Sequence, residues 1–588
     1  VAALTPGTRA IALALLIGDR TSLGRDSQQA FVLSGTMHML AISGLHVGVL
    51  ASMLSCACRV IGVSRNISGI SVVSVIVGYV LIVGSRPSVV RAAVLVSVWM
   101  LGRPWWRQSH VWHRLSLAAI GMMLWNPLVV FDVGAQLSYL AMLALSYSQM
   151  SLGSSSGPRG DDPRSTVVRL REQIWCKAVV GSVWHYLRSY VWSYVMIWVF
   201  TAPLAANTFH VLAPIGLCTN FVLLHVIAAI LVCGFLIVVL AALHPDLAYL
   251  PGVCLDAGLT YVLRFVDWSS RREWGHFEVG SLPTWWLLGH YGLLCILLFK
   301  GWRLERTRWR LALVVWLIIG VFCLCWRSSP EEFRCRFLDV GHGSAVLIEW
   351  PSGTTMLYDC GSMQGGHRAA QTVMGAMRAS GMPQLDTLVI SHADVDHCNG
   401  VPTLLSRVSV RRIVVGHAFW DLQQRVVRDV LAAAQRNNVA VETVSAGRRL
   451  AVDPQTRVTI IHPQRQWLSP SDNANSLVLQ IAYAGRNLLL PGDVEAEGLE
   501  QLLKRPSRST DVLMAPHHGS RVANTRRVAQ WARPNWVIVS SGQHVRLEEL
   551  RAIYGLSQVL GTTDSGAIDV RIRPSGQMSV DTFCGDIP

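Results

Sequence analysis

Leu388-Val389-Ile390-Ser391-His392-Ala393-Asp394-Val395-Asp396-His397 sets a short apolar run directly against four side chains of the kinds that can bind metal ions. The run reads as a buried strand. His392, Asp394, Asp396 and His397 then fall within six residues. One turn at a strand tip brings that many donors to a common point. Two further clusters stand in the same kind of place. Asp493 ends Leu488-Leu489-Leu490-Pro491-Gly492-Asp493, and His517-His518 follow Val512-Leu513-Met514-Ala515-Pro516. A lone histidine is usually structural, whereas a dense His-x-Asp-x-Asp-His loop seldom is. Imidazole and carboxylate donors without thiolate suit zinc or manganese.

Working outward, strand-like runs lie at 333–339, 345–349, 355–358, 385–391 and 410–415. More follow at 458–461, 476–483, 488–490, 512–515 and 537–539. Helical patterns separate some of them, as at 422–437 and 496–503. The mixture predicts an α/β domain of sheets packed between helices. Charge density rises sharply after Ser329-Pro330, which places the boundary between residues 1–330 and 331–588.

The first of these regions has a different solvent. Only 15% of all residues are charged, against about 25% in soluble domains. Charge-free runs cover 27–58, 66–85, 115–131, 133–158, 279–299 and 311–326, and one run of 57 residues extends from Ser189 to Pro245. A helix crosses the hydrocarbon core with roughly 20 apolar residues, so this longest run turns back at least once, near Pro203–Pro214. About nine to eleven spanning helices are expected, because backbone groups in lipid must bond within their own segment. An ordinary soluble protein is excluded. The net charge of +15 is weak evidence for nucleic acid, since cytoplasmic loops of membrane proteins carry such an excess.

Lys300, Arg303, Arg306, Arg308 and Arg310 crowd one short loop against Glu305 alone. The positive-inside rule makes that loop cytoplasmic and sends the following run, 16 residues long, outward, with the C-terminal domain in the periplasm. Segment 151–188 starts rich in Ser and Gly and turns basic, and reads as a loop followed by an interfacial helix. Nine of the 13 cysteines precede Glu331, and pairs such as Cys56/Cys58 lack zinc-finger spacing; they read as small buried hydrophobes.

Some polar residues interrupt the apolar runs: His38, Ser43, His46, Arg86, Arg91, Asp132 and Gln136. Polar groups at this depth face a bundle interior or a water-filled path. They read equally as channel-lining residues or as hydrogen-bonding links between helices.

The soluble motifs together resemble the metallo-β-lactamase superfamily. Asp at the second ligand position and Pro516-His517-His518-Gly519-Ser520 make the variant similar to the ComEC family of DNA-uptake competence proteins. Phe337-Leu338-Asp339-Val340-Gly341-His342-Gly343 resembles that family's opening strand and glycine turn, and Asn475-Ser476-Leu477-Val478-Leu479 a later strand. In the membrane half, Gly18-Asp19-Arg20, the stretch from His38 to Gly48, and the stretch from Phe131 to Tyr139 resemble its competence region. The resemblance implies a polytopic α-helical membrane bundle acting as the channel, followed by an αββα metallo-β-lactamase fold. It implies an inner-membrane protein passing single-stranded DNA with other competence proteins as partners, and a nuclease domain degrading the other strand.

Carried over, the resemblance assigns His392 and Asp394 to one divalent ion, and Asp396 and His397 to a second. Asp493 bridges or completes the pair, and His517 or His518 adds a ligand. Two such ions would polarise a phosphate and supply hydroxide near neutral pH. Asn475 is a weak ligand or substrate contact. Asp339 either orients a ligand or caps a turn. Two departures stand out. The family's N-terminal OB-like domain is missing, which suggests a truncated chain. The stretch Gln543-His544-Val545-Arg546 replaces a usual Asn-Arg-x-Gly-His-Pro pattern, which puts catalysis in doubt. The competing readings are a membrane-anchored metallophosphodiesterase and a transporter with an inactive outer domain.

Overall fold

The computed structural model describes residues 4–19, 23–40, 42–84, 87–102, 111–153, 174–300, 306–325, 331–507, 509–542 and 546–584. The chain divides into two compact units, Val1–Leu324 and Cys325–Pro588.

The first unit is helical. Among its described residues three helices are long and apolar enough to cross a bilayer: Arg65–Val83, Leu187–Phe209 and Gly216–Leu243. Shorter apolar helices cover Gly7–Leu16, Gly44–Val60, Ser88–Leu101, Thr284–Leu298 and Leu311–Cys323. The long uncharged run reverses at its later prolines. Strand β1 (Val211–Leu212) pairs antiparallel with β2 (Phe277–Glu278) just after the helix Ile174–Phe209 ends. Pro203 lies inside that helix. Lacking an N–H, it leaves the Val199 carbonyl without its helical donor. His290 Nε2 fills the gap at 3.1 Å, and the Tyr291 hydroxyl donates to Phe200 O at 3.3 Å. The interfacial helix expected within 151–188 is not separate in its described part. From Ile174 onward the chain is already that same long helix.

Most of the polar residues singled out in this unit serve helix ends. Arg91 Nη1 lies 3.1 Å from Asp132 Oδ1, which also accepts Ala135 N–H at 2.6 Å. Gln136 Nε2 donates to Val130 O. Ser43 and His46 form a reciprocal cap at the start of Gly44–Val60. His38 is exposed, and Arg86 lies outside the described residues.

The second unit holds the remaining strands. These are β3 (Phe333–Phe337), β4 (Val346–Glu349), β5 (Thr355–Tyr358), β6 (Gln384–Val389), β7 (Ser409–Gly416), β8 (Ala440–Val444), β9 (Arg449–Leu450) and β10 (Arg457–His462). They continue with β11 (Val478–Tyr483), β12 (Arg486–Leu490), β13 (Val512–Met514), β14 (Trp536–Val539), β15 (Gln558–Gly561), β16 (Ile568–Ile572) and β17 (Met578–Thr582). Two mixed sheets form, in the orders β17-β16-β3-β4-β5-β6-β7-β8 and β15-β14-β13-β12-β11-β10-β9.

Alternation along the strands decides the layers. Phe333, Cys335 and Phe337 of β3 enter one core with Ile460, Leu479, Leu490 and Met514 of the other sheet. The outer face of the first sheet is covered by Gly366–Ala379 and Arg425–Arg436. Their buried Ala369, Val373 and Met377, and Val427, Val430 and Ala434, recur at helical spacing. Ala496–Leu503, Arg526–Ala532 and Leu547–Tyr554 cover the second sheet. The result is a helix–sheet–sheet–helix sandwich whose parallel strands β5, β6, β12 and β13 end at one rim.

Candidate metal centre

The three clusters come from both sheets, and backbone contacts lock their tips together. Leu477 N–H donates to Ser391 O at 2.8 Å, and His517 N–H donates to Gly492 O at 3.1 Å. The Tyr358 hydroxyl reaches across from β5 to Leu477 O and Leu490 O. Glycine is needed where backbones touch. A Cβ on Gly361 would sit 2.3 Å from the Asp396 carbonyl carbon. Gly492, just before Asp493, holds φ at 58° against Ser391 and Tyr358.

Asp396, His397, Asp493 and His518 are all buried, and their donor atoms lie within 4.8 Å of one another. His397 Nε2 is 3.1 Å from Asp493 Oδ1 and 3.2 Å from His518 Nε2. His518 Nε2 is 3.2 Å from Asp396 Oδ2 and 3.3 Å from Asp493 Oδ2. Outside the cluster, each imidazole has a fixed partner. His397 Nδ1 lies 2.8 Å from Asp359 Oδ2, and His518 Nδ1 lies 2.7 Å from Ser540 O. Those partners accept hydrogen bonds, so each Nδ1 carries the proton. In the neutral ring the Nε2 lone pair then points inward.

This arrangement fits a divalent cation. Ligand bonds of about 2.0–2.1 Å to a tetrahedral ion set donor–donor edges of about 3.3 Å, close to the four distances above. Asp493 Oδ1 is buried, lies 3.1 Å from His397 Nε2 and has no hydrogen-bond partner. His392 Nε2 is likewise buried without a partner, its ring 4.2 Å from that of His397.

Protons on the rings do part of a cation's work. Burial alone would push His397 down, but Asp493 and Asp359 override it and hold the ring well above its usual pKa. Burial also opposes charge on His518, yet Asp493 and Asp396 raise it to about 9. Burial would raise Asp396 and Asp493. The His518 hydrogen bond and the charges of His397 and His518 bring Asp396 to about 2, and His397 and His518 hold Asp493 well below the carboxylate range. His392, pushed to about 4 by burial and then by the His397 charge, stays neutral.

The structure thus brings together Asp396, His397, Asp493 and His518, with His392 beside them. His517 sits at the edge, its Nε2 3.7 Å from Asp493 Oδ2. Asp394 is not brought in. It is exposed and caps Val395–Cys398, its carboxylate accepting Val395 N–H at 2.8 Å. Asn475 is also elsewhere: its amide is engaged by Ser469 and Ser471. Asp339 caps its own turn through Gly341 N–H. His544 lies outside the described residues. Sequence reasoning missed Asp359, which accepts Ser391 N–H as well as holding His397. Its only signal was position: an aspartate at the tip of an apolar strand, two residues before a glycine. Glu495, 2.7 Å from His517 Nδ1, was missed as well.

Residues 15–304 match the family model described as Competence protein, and residues 338–542 match that of the Metallo-beta-lactamase superfamily. The chain is 25% identical to ComE operon protein 3 of Bacillus subtilis (strain 168), across 97% of this chain and 72% of that one. It is 26% identical to Competence protein ComA of Neisseria gonorrhoeae, across 90% and 69%. Uncharacterized protein YcaI of Escherichia coli (strain K12) is 22% identical, across 91% and 66%.

Proposed function

Since the chain joins a competence-protein region to a metallo-β-lactamase domain, we propose that it takes up DNA during natural transformation. On this reading the helical unit is a polytopic bundle in the inner membrane, with about nine to eleven spans, through which one strand passes. The C-terminal unit faces the periplasm and cleaves phosphodiester bonds of the strand left behind. Other competence proteins deliver the DNA. The observation that supports this most is the convergence of Asp396, His397, Asp493 and His518 in a chain whose other half is a competence region.

The residues divide the work. Asp396, His397, Asp493 and His518 would hold one divalent ion, zinc or manganese by their donor chemistry. The neutral His392 is placed to help hold a second beside Asp493. Bound ions would supply Lewis acidity and an activated water. Asp359 and the Ser540 carbonyl keep the two facing imidazoles in the tautomer that presents Nε2.

The test uses the full chain in detergent with manganese or zinc and single-stranded DNA, beside Asp396→Ala. Cleavage lost in the variant supports the nuclease. No cleavage with either metal rejects it. Transformation frequency in cells carrying no copy of the gene tests uptake separately, and unchanged DNA import rejects that role.

A further inference from the structure

His517 is held in a way the cluster itself does not require. Its backbone is left-handed at φ 47°, which is costly for a residue with a Cβ. Its Nδ1 is 2.7 Å from Glu495 Oε2, and the other Glu495 oxygen accepts from Asn473 Nδ2 at 3.0 Å. Glu495 is therefore clamped from one side and engages His517 from the other. A carboxylate accepts, so the proton sits on Nδ1 and the lone pair on Nε2. That Nε2 lies on the side of Asp493 Oδ2, while His397 approaches Asp493 Oδ1. His517 is about one-third exposed, whereas His518 is buried. It stands where solvent meets the cluster.

We propose that Glu495, clamped by Asn473, is a positioning residue that fixes the tautomer of His517, so that His517 Nε2 accepts a hydrogen bond from the water entering the site. The proposal rests on the hydrolase reading for its catalytic consequence, but the tautomer is a property of the chain alone. Through it the entering water is oriented with one hydrogen on His517 and an oxygen lone pair free for the reacting phosphorus.

The clamp makes the prediction sharp. In Glu495→Gln the Asn473 amide, in the orientation it holds here, donates to the glutamine oxygen and turns the glutamine NH2 toward His517. Nδ1 must then accept, and the proton moves to Nε2, where it blocks the water. The experiment is nitrogen NMR of the full chain in detergent, labelled at histidine, with the His517 signal identified by its loss in His517→Gln. Wild type should show protonated Nδ1, and Glu495→Gln protonated Nε2. Hydrolysis should fall about 10- to 100-fold in kcat, with KM and bound metal unchanged. Asn473→Ala combined with Glu495→Gln lets the glutamine rotate, and should restore both the tautomer and part of kcat. An unaltered His517 tautomer in Glu495→Gln overturns the proposal, as does loss of bound metal in His517→Gln, which would make His517 a ligand. If the tautomer responds but no variant cleaves DNA, the positioning stands and the nuclease reading falls.

Discussion

His397 Nε2 and His518 Nε2 face each other at 3.2 Å, although one follows a strand of the first sheet and the other a strand of the second. Two lone pairs do not approach so closely without a proton or a cation between them. The domain therefore carries a choice at its rim. Either protons on the imidazoles neutralise Asp396 and Asp493, or a metal does.

Removing a carboxylate from that balance should show directly in metal content. Asp493 touches both histidines. Asp493→Ala in the full chain should lower the bound-metal ratio measured by plasma mass spectrometry, and hydrolysis by at least about 100-fold, the upper part of the range for changes around a metal. Retention of full metal content would remove Asp493 from the ligand set.

Acidity should act on a metal-free preparation with a defined sign. His518 has its pKa raised from 6.5 to about 9, so its stabilising contribution is fully present below 6.5 and is lost as pH rises through 9. At about 1.4 kcal/mol per pH decade the whole effect is on the order of 3 kcal/mol. Asp396, lowered from 3.8 to about 2, contributes above 3.8 and loses its contribution as pH falls through 2. Scanning calorimetry between pH 6.5 and 9.5 should show a falling transition temperature for the metal-free chain. Saturating zinc should flatten that slope, and so should His518→Gln.

Asp359→Asn isolates the support behind His397. Asn tolerates the left-handed backbone at this position, φ 62°, better than Ala does. What it loses is the charge that secures Nδ1–H. Metal affinity should drop about 10- to 100-fold, read by competition with a chelating dye, while the fold persists by circular dichroism. Unchanged affinity would mean that Asp359 only joins β5 to the Ser391 loop.

In the helical unit, Pro203 and His290 should be coupled. His290→Leu strands the Val199 carbonyl and should cost about 1–3 kcal/mol. Pro203→Ala supplies the missing N–H. The double variant should therefore recover most of the loss in thermal melts in detergent. Simple additivity of the two changes would show that the hydrogen bond from His290 is incidental.

What could be read from the letters follows from local pattern. Strands such as β4, β5 and β12 end or run buried and stand out as apolar runs, with the ligand clusters at the ends of such runs, whereas β8, β16 and β17 alternate with polar, half-exposed residues and gave no such signal. For Asp394 the density of donors in one short turn does not tell a ligand from a helix cap. At Val395 the backbone turns helical, and Asp394 becomes the cap. His517 and His518 could not be told apart from sequence. Their left-handed backbones swing adjacent side chains to different places, and nothing in the letters encodes that. Asp359 looks like any aspartate at a turn until β5 is set beside β6. For the polar residues of the helical unit the sequence left a channel lining and hydrogen-bonding links between helices equally open, and Arg91, Asp132, Gln136, Ser43 and His46 are engaged at helix ends.

The opening strand β3 pairs with β16, more than two hundred residues later. In a growing polypeptide β3 can pair with β4 at once, but its other edge stays open until β16 has been made. His518, too, is made long after Asp396. No copy that stops short of His518 can assemble the cation nest, so whatever reactivity that nest confers is withheld until the chain has been made past that residue.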